Sequence, residues 1–174
     1  MHASPSRVDG PPADPTSSTD CRNVMGRLPT GVVIVAGMVG GEPVGVAVGS
    51  FTSVSLDPPL VGFFIADTSS TWPVIAPSGG FCASILSADQ EVVSRLFATR
   101  GADKFAGCGW RPSPSGRPII DGAVAWVDCS IEQIVPAGDH RLVLGRIQAM
   151  AASDGDEPLV FLGGRYRQLS GAPA

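Results

Sequence analysis

The 174-residue chain has two histidines, and one of them, His2, lies in an N-terminal run of small residues. His140 is therefore the histidine placed for acid–base chemistry near neutral pH, where an imidazole titrates. It closes the turn pattern Gly138-Asp139-His140, where a merely structural histidine would fit as well. No serine, threonine or cysteine stands in a recognisable nucleophile motif with a base, and the remaining chemistry is that of hydroxyls. Ser50, Thr52, Ser53 and Ser55 fall within VGVAVGSFTSVSLDPP, residues 44–59. In the same stretch Gly45 and Gly49 lack a Cβ and let another group approach the backbone closely. Such hydroxyls and turn N–H groups suit a flat polar ligand with anionic parts, although an ordinary strand and loop would use them too. A second cluster, Thr68-Ser69-Ser70-Thr71, precedes Trp72-Pro73. Hydroxyl residues before a proline start helices, and a helix start gathers N–H groups that can hold phosphate. Lys104, in Ala102-Asp103-Lys104-Phe105, is by residue type alone a solvated loop cation.

Short strands joined by tight turns must position these groups. Val32 to Met38 is a β-branched apolar run expected as a buried strand, with a hairpin at Gly40-Gly41. The central stretch is expected as a strand, a polar, tightly turned connection ending at Asp57-Pro58-Pro59, and a second strand from Leu60 to Ala66. Asp20 is expected to cap a helix from Cys21 to Leu28, with Val24 and Leu28 on one face. Phe81 to Leu86 is a strand. Ser87-Ala88-Asp89-Gln90 has capping-box spacing and opens a helix with Val92, Val93, Leu96 and Phe97 on its core face. Residues 111–117 are expected as a surface loop. Residues 119–135 are expected as two strands about Asp121-Gly122, residues 142–150 as another, and residues 159–162 as the last. Gly155-Asp156 is expected as a turn. Residues 1–19 are expected as a disordered tail, and residues 20–170 as one domain with an all-β core and a few short helices.

At 44% hydrophobic and 16% charged, the chain can build a core. Net charge is −4, which leaves no basic excess for nucleic acid. Cys21, Cys82, Cys108 and Cys129 are scattered, so no metal site is expected. With no secretory pattern, a cytoplasmic protein with reduced thiols is expected; Cys82 and Cys129, in apolar runs, are expected to be buried. No apolar run is long enough to span a bilayer. There is no GxGxxG, hence no support for a Rossmann nicotinamide site.

GSFTSVSLDPPL, with PTGV upstream, GDH downstream and GRY near the end, resembles the flavin reductase family of small FMN-binding split β-barrels. These are the reductase partners of two-component flavin-dependent monooxygenases. The resemblance runs from about Cys21 to Leu169. It implies a mainly β, Greek-key-like split barrel with a few short helices. It implies hydride transfer from NADH, or NADPH, to FAD or FMN, and supply of reduced flavin to a monooxygenase partner from a homodimer. Flavin contacts are implied for Thr30, Val46, Ala47, Val48, Gly49, Ser50, Phe51, Thr52 and Ser55. Ser69, Ser70 and Thr71 are implied at the flavin phosphate, Lys104 and Phe105 at the flavin tail, and Tyr166 at the nicotinamide pocket. His140 is implied beside flavin and nicotinamide as the catalytic residue. The chain departs from the family pattern at Ala47 and Gly49, where hydroxyl residues are common, and at Cys21, where an aromatic is common. Ala47 and Gly49 keep open a flavin- or haem-binding carrier or sensor on the same barrel, Cys21 bears on packing, and a ligand-free barrel module is a third reading.

Overall fold

The computed structural model describes residues 11–101, 103–154 and 157–169. Seven strands form one antiparallel sheet: β2 (Val33–Val39), β3 (Glu42–Val48), β4 (Thr52–Leu56), β5 (Pro59–Ala66), β6 (Gly80–Ile85), β9 (Ala125–Ala137) and β10 (His140–Ala152), in the order β3-β2-β6-β9-β10-β5-β4. The sheet curls until β3 approaches β5. At this seam the Ser50 hydroxyl takes the Phe64 N–H at 2.9 Å and donates to the Phe64 carbonyl at 3.1 Å. One side chain thus satisfies two backbone groups that a closed ladder would have paired. The expected mainly β architecture is found, with helices α1 (Ser18–Met25), α2 (Trp72–Ile75) and α3 (Glu91–Ala98). Two small sheets complete it: β1 (Thr30–Gly31) with β11 (Val160–Leu162) and β12 (Arg165–Arg167), and β7 (Trp110–Pro112) with β8 (Pro118–Ile120).

β2 is buried on both faces, as its unbroken apolar run requires. Val33 and Val35 point into the barrel with Phe63, Phe81, Trp72 and Val143. Ile34 and Ala36 point outward and are covered by Leu86, Phe97, Phe105 and Ile120. The interior aromatics meet edge to face, Phe63 with Trp72 at 5.3 Å and with Phe81 at 5.2 Å. Cys82 and Cys129 are buried, and burial first, then the Asp128 charge, pushes both thiols up to about 12.

Several expectations need correction. The hydroxyl run is not a connection: residues 52–56 form β4, paired with β5 at the sheet edge. α1 starts at Ser18, capped by the Ser17 hydroxyl, and buries no residue; Val24 and Leu28 are exposed. α3 starts at Glu91, later than its capping box implies, because Ser87 Oγ bonds Asp89 while Gln90 reaches back to the Ser87 N–H. Val92 therefore faces solvent, 76% exposed, and the buried face is Ser94 and Phe97 flanked by Val93 and Leu96. Residues 159–162 are followed by one more strand, β12. Gly155-Asp156 lies outside the described residues.

Residues 111–117 are more than a surface loop. Their turn folds over Asp128, a fully buried carboxylate on β9. Ser113 Oγ donates to Asp128 at 2.6 Å, Ser115 gives its hydroxyl and its N–H, and Arg117 Nη1 pairs with Oδ1 at 2.9 Å. Burial pushes the Asp128 carboxyl up, but hydrogen bonds from Ser113, Ser115 and Arg117 outweigh it and hold the group below the usual carboxylate range. A depressed folded-state pKa contributes stability above the unfolded pKa and loses it as pH falls through the folded one. Asp128→Ala is expected to cost about 3–5 kcal/mol, because it strands Arg117. In urea denaturation at several pH values, the variant should show a shallower loss of stability on acidification.

Candidate active site

A cleft of about 440 Å³ opens where three elements meet: β3 at residues 43–46, the end of β5 with its following loop at residues 65–66 and 68–71, and the end of α3 with its following loop at residues 97–101 and 103–105. Its floor depends on Gly45. A Cβ there would stand 2.7 Å from the Phe97 ring and 3.3 Å from Phe105, so the close approach permitted by glycine is taken up by the protein itself. The same holds at Gly49, where a Cβ would meet Thr30 Oγ1 at 3.2 Å.

Lys104 is not a solvated loop residue. Its ammonium donates to the Gly45 carbonyl at 3.2 Å and to the Phe97 carbonyl at 3.0 Å. An ammonium has three N–H donors, so one remains for the cleft. Burial lowers the Lys104 pKa. Lys104 and Arg100 both line the cleft; Asp103 also lines it, and its carboxylate accepts from the Ala106 N–H.

Opposite Lys104 lies the hydroxyl loop. Ser69 Oγ accepts from the Trp72 N–H at 3.1 Å and so starts α2. Among the described residues, the N–H groups and hydroxyls of Thr68, Ser70 and Thr71 make no hydrogen bond to protein. α2 has only four residues and too little dipole to bind an anion by itself. The unpaired donors and the two cations carry that capacity, and the donor set fits a phosphate-bearing ligand.

The cleft brings together Val46, Ser69, Ser70, Thr71, Lys104 and Phe105 from the residues singled out in the sequence. Phe105 is also a core ring, edge-on to Phe97 at 5.0 Å. Ala47, Val48, Gly49, Phe51, Thr52 and Ser55 continue along the β3–β4 corner away from the cleft lining, and Ser50 is engaged at the barrel seam. Thr30 sits against Gly49. His140 lies at the start of β10, paired in register with Ala66, which lines the cleft. Its Nδ1 meets Asp139 Oδ1 at 2.6 Å, and its ring is half-exposed. The turn is tied to the hydroxyl loop by the Asp67 N–H to the Asp139 carbonyl at 3.0 Å and by the Arg141–Asp67 pair at 2.9 Å. Tyr166 stands apart: its hydroxyl bonds Ser94 Oγ at 2.8 Å and Arg95 lies over its ring at 4.9 Å, fixing the terminal hairpin to α3. Thr68 lines the cleft with the rest of its hydroxyl cluster, whereas Arg100 and the cleft-lining role of Phe97 were not legible in advance, because nothing local marks them.

Residues 25–170 match the flavin reductase like domain family. A flavin reductase from Pseudomonas putida is 45% identical over 146 residues, covering 83% of this chain and 86% of the relative. The reductase subunit HsaB of a flavin-dependent monooxygenase from Rhodococcus jostii RHA1 is 41% identical over 145 residues, covering 83% and 74%. The NADH:FAD oxidoreductase SgcE6 of Streptomyces globisporus C-1027, solved with NAD and FAD fragments, superposes with a TM-score of 0.88 at 35% identity, covering 92% of this chain and 98% of that one. The chain belongs to the flavin reductase family and shares its barrel fold.

Gly45→Ala tests the cleft floor. The methyl group must displace Phe97 and loosen Lys104, so a loss of about 1–3 kcal/mol is expected in urea denaturation. Flavin affinity, followed by fluorescence titration, should fall with it.

Proposed function

We propose that this protein is an NAD(P)H-dependent flavin reductase that takes hydride from NADH, or NADPH, passes it to FAD or FMN, and supplies reduced flavin to a partner monooxygenase. The observation that carries this reading is the cleft in which unpaired hydroxyl-loop donors face Lys104. Ser70, Thr71 and the remaining Lys104 donor hold the flavin phosphate. The β3–β4 corner, from Val46 through Thr52 to Ser55, with Thr30, lies along the ring, where backbone contacts stand in for the hydroxyls missing at Ala47 and Gly49. A bound flavin supplies the redox chemistry as hydride uptake at its ring. The chain supplies position and charge. His140 presents its free ring nitrogen beside Ala66, oriented by Asp139, to place the nicotinamide and manage the proton. Tyr166 borders the nicotinamide pocket through its ring, while its hydroxyl stays with Ser94.

Residues 20–170 are the functional unit in this reading; the tail expected over residues 1–19 ends sooner, because Ser17 caps α1 and the helix starts at Ser18, and residues 1–10 lie outside the described residues. A homodimer is favoured by Leu56, 90% exposed on the edge strand β4, and by the exposed Val54 and Phe64 beside it. Sedimentation showing only monomer at working concentration would exclude that pairing. No helix among the described residues is long and apolar enough to cross a membrane. Four free cysteines are in keeping with a cytoplasmic setting.

The decisive experiment follows NADH and NADPH oxidation by absorbance with no flavin, riboflavin, FMN or FAD. Saturable turnover only when flavin is present is expected; tight flavin binding without turnover would return the carrier reading. In the same assay the double variant S70A/T71A should weaken FMN affinity about tenfold and leave riboflavin nearly unchanged. An equal loss for riboflavin would place the phosphate elsewhere. His140→Ala should lower kcat with little change in flavin affinity, whereas parallel losses would make His140 structural.

A further inference from the structure

A second groove lies outside the cleft just described. α1 contributes Arg22 and Asn23, the turn after it Arg27, and the hairpin of β11 and β12 Leu162, Arg165 and Arg167. It measures about 960 Å³ and shares no lining residue with the first cleft. Its shape is held by one backbone bond, the Gly163 N–H to the Gly26 carbonyl at 2.8 Å, which joins helix and hairpin. Along β12 successive side chains alternate. Tyr166 faces α3, and Arg165 and Arg167 accordingly share the other face.

Four arginines line this groove and no carboxylate does. Among the described residues none of the four makes an ion pair, whereas Arg95, Arg117, Arg141 and Arg146 each have a carboxylate partner. In a chain of net charge −4, four unpaired guanidinium groups around one groove repel one another and attract an anion. Guanidinium forks match phosphate oxygens in pairs. No aromatic side chain lines the groove, so recognition falls on phosphate and not on a stacked base.

We propose that this arginine groove is a second anion site that takes the diphosphate of the nicotinamide donor, since the phosphate of a flavin is already placed in the first cleft. The proposal rests on the reductase reading, because that activity requires such a ligand. Geometry places the groove within reach. Thr30 on β1 pairs with Phe161 on β11, which pairs with Tyr166 on β12, next to Arg165. At strand spacing, Arg165 therefore lies on the order of 10 Å from Thr30 and the ring-side corner at Gly49.

The test uses the full chain and the double variant R165Q/R167Q, whose exposed positions leave the core intact. Calorimetric titration with ADP and with inorganic pyrophosphate at low salt should show saturable binding, weakened about tenfold by the variant. No saturable binding, as for a groove that fits only an acidic protein face, or binding indifferent to the variant, overturns the proposal. This titration needs no turnover, so it is decided even if the reductase reading fails. Steady-state kinetics then identify the donor: KM for NADH should rise about tenfold relative to KM for reduced nicotinamide mononucleotide, while KM for FAD relative to KM for FMN stays unchanged. An unchanged NADH ratio, or a rise for FAD relative to FMN, would overturn the assignment.

Discussion

A strand with two apolar faces has to be covered twice, and the rest of this molecule follows from meeting that requirement for β2. The inner cover is the barrel, whose curvature brings its own edges to a seam. The outer cover is α3 with Phe105, laid across Ile34 and Ala36. Burial of each large apolar side chain contributes about 1.5–3 kcal/mol, so neither cover is dispensable. The cleft exists because the outer cover ends over β3, where Gly45 lets Phe97 approach and Lys104 ties both backbones together. Groups that line the cleft and groups that complete the core are therefore the same groups.

That overlap explains the division of labour among the polar side chains. Ser50 and Ser69 have their hydroxyls engaged in closing the barrel and starting a helix. Ser70 and Thr71, one and two residues further along the loop, do not. Hydroxyl residues of similar chemistry thus differ in whether a backbone group of the fold takes up their side chain.

Much of the architecture was legible in the sequence because it rests on local signals. The β2 run, the Gly40-Gly41 hairpin and the turn at Gly138-Asp139 follow from composition and turn chemistry alone, although β10 starts at His140 and not at the expected Leu142, because His140 already pairs with Ala66 and Ala137. The edge strand β4 was not, since serine and threonine serve turns and strands equally and only pairing with β5 decides. The helix α1 keeps its apolar residues exposed, so its pattern carried no information about packing. Lys104 could not be distinguished from a surface lysine, because its acceptors are carbonyls of Gly45 and Phe97, one of them distant in sequence. The charge network at Asp128 was hidden for the same reason: nothing near Asp128 in sequence indicates that residues 113–117 will fold over it. The family resemblance, carried by the order of short motifs, supplied the barrel type that strand counting could not.

The buried carboxylate also has a meaning for how the barrel finds its pairing. Asp128 sits between Val127 and Cys129, which both face the aromatic interior, while it faces outward beneath its own lid of hydroxyls and Arg117. In a strand, a slip by one residue exchanges inside for outside. A slipped β9 would drive a charge among Phe63 and Phe81, far from any donor, at a cost of several kcal/mol. Long antiparallel strands with bulges, such as β9 and β10, have many nearly equivalent alignments. A single acidic residue makes the alternatives untenable and acts as an alignment key for the sheet.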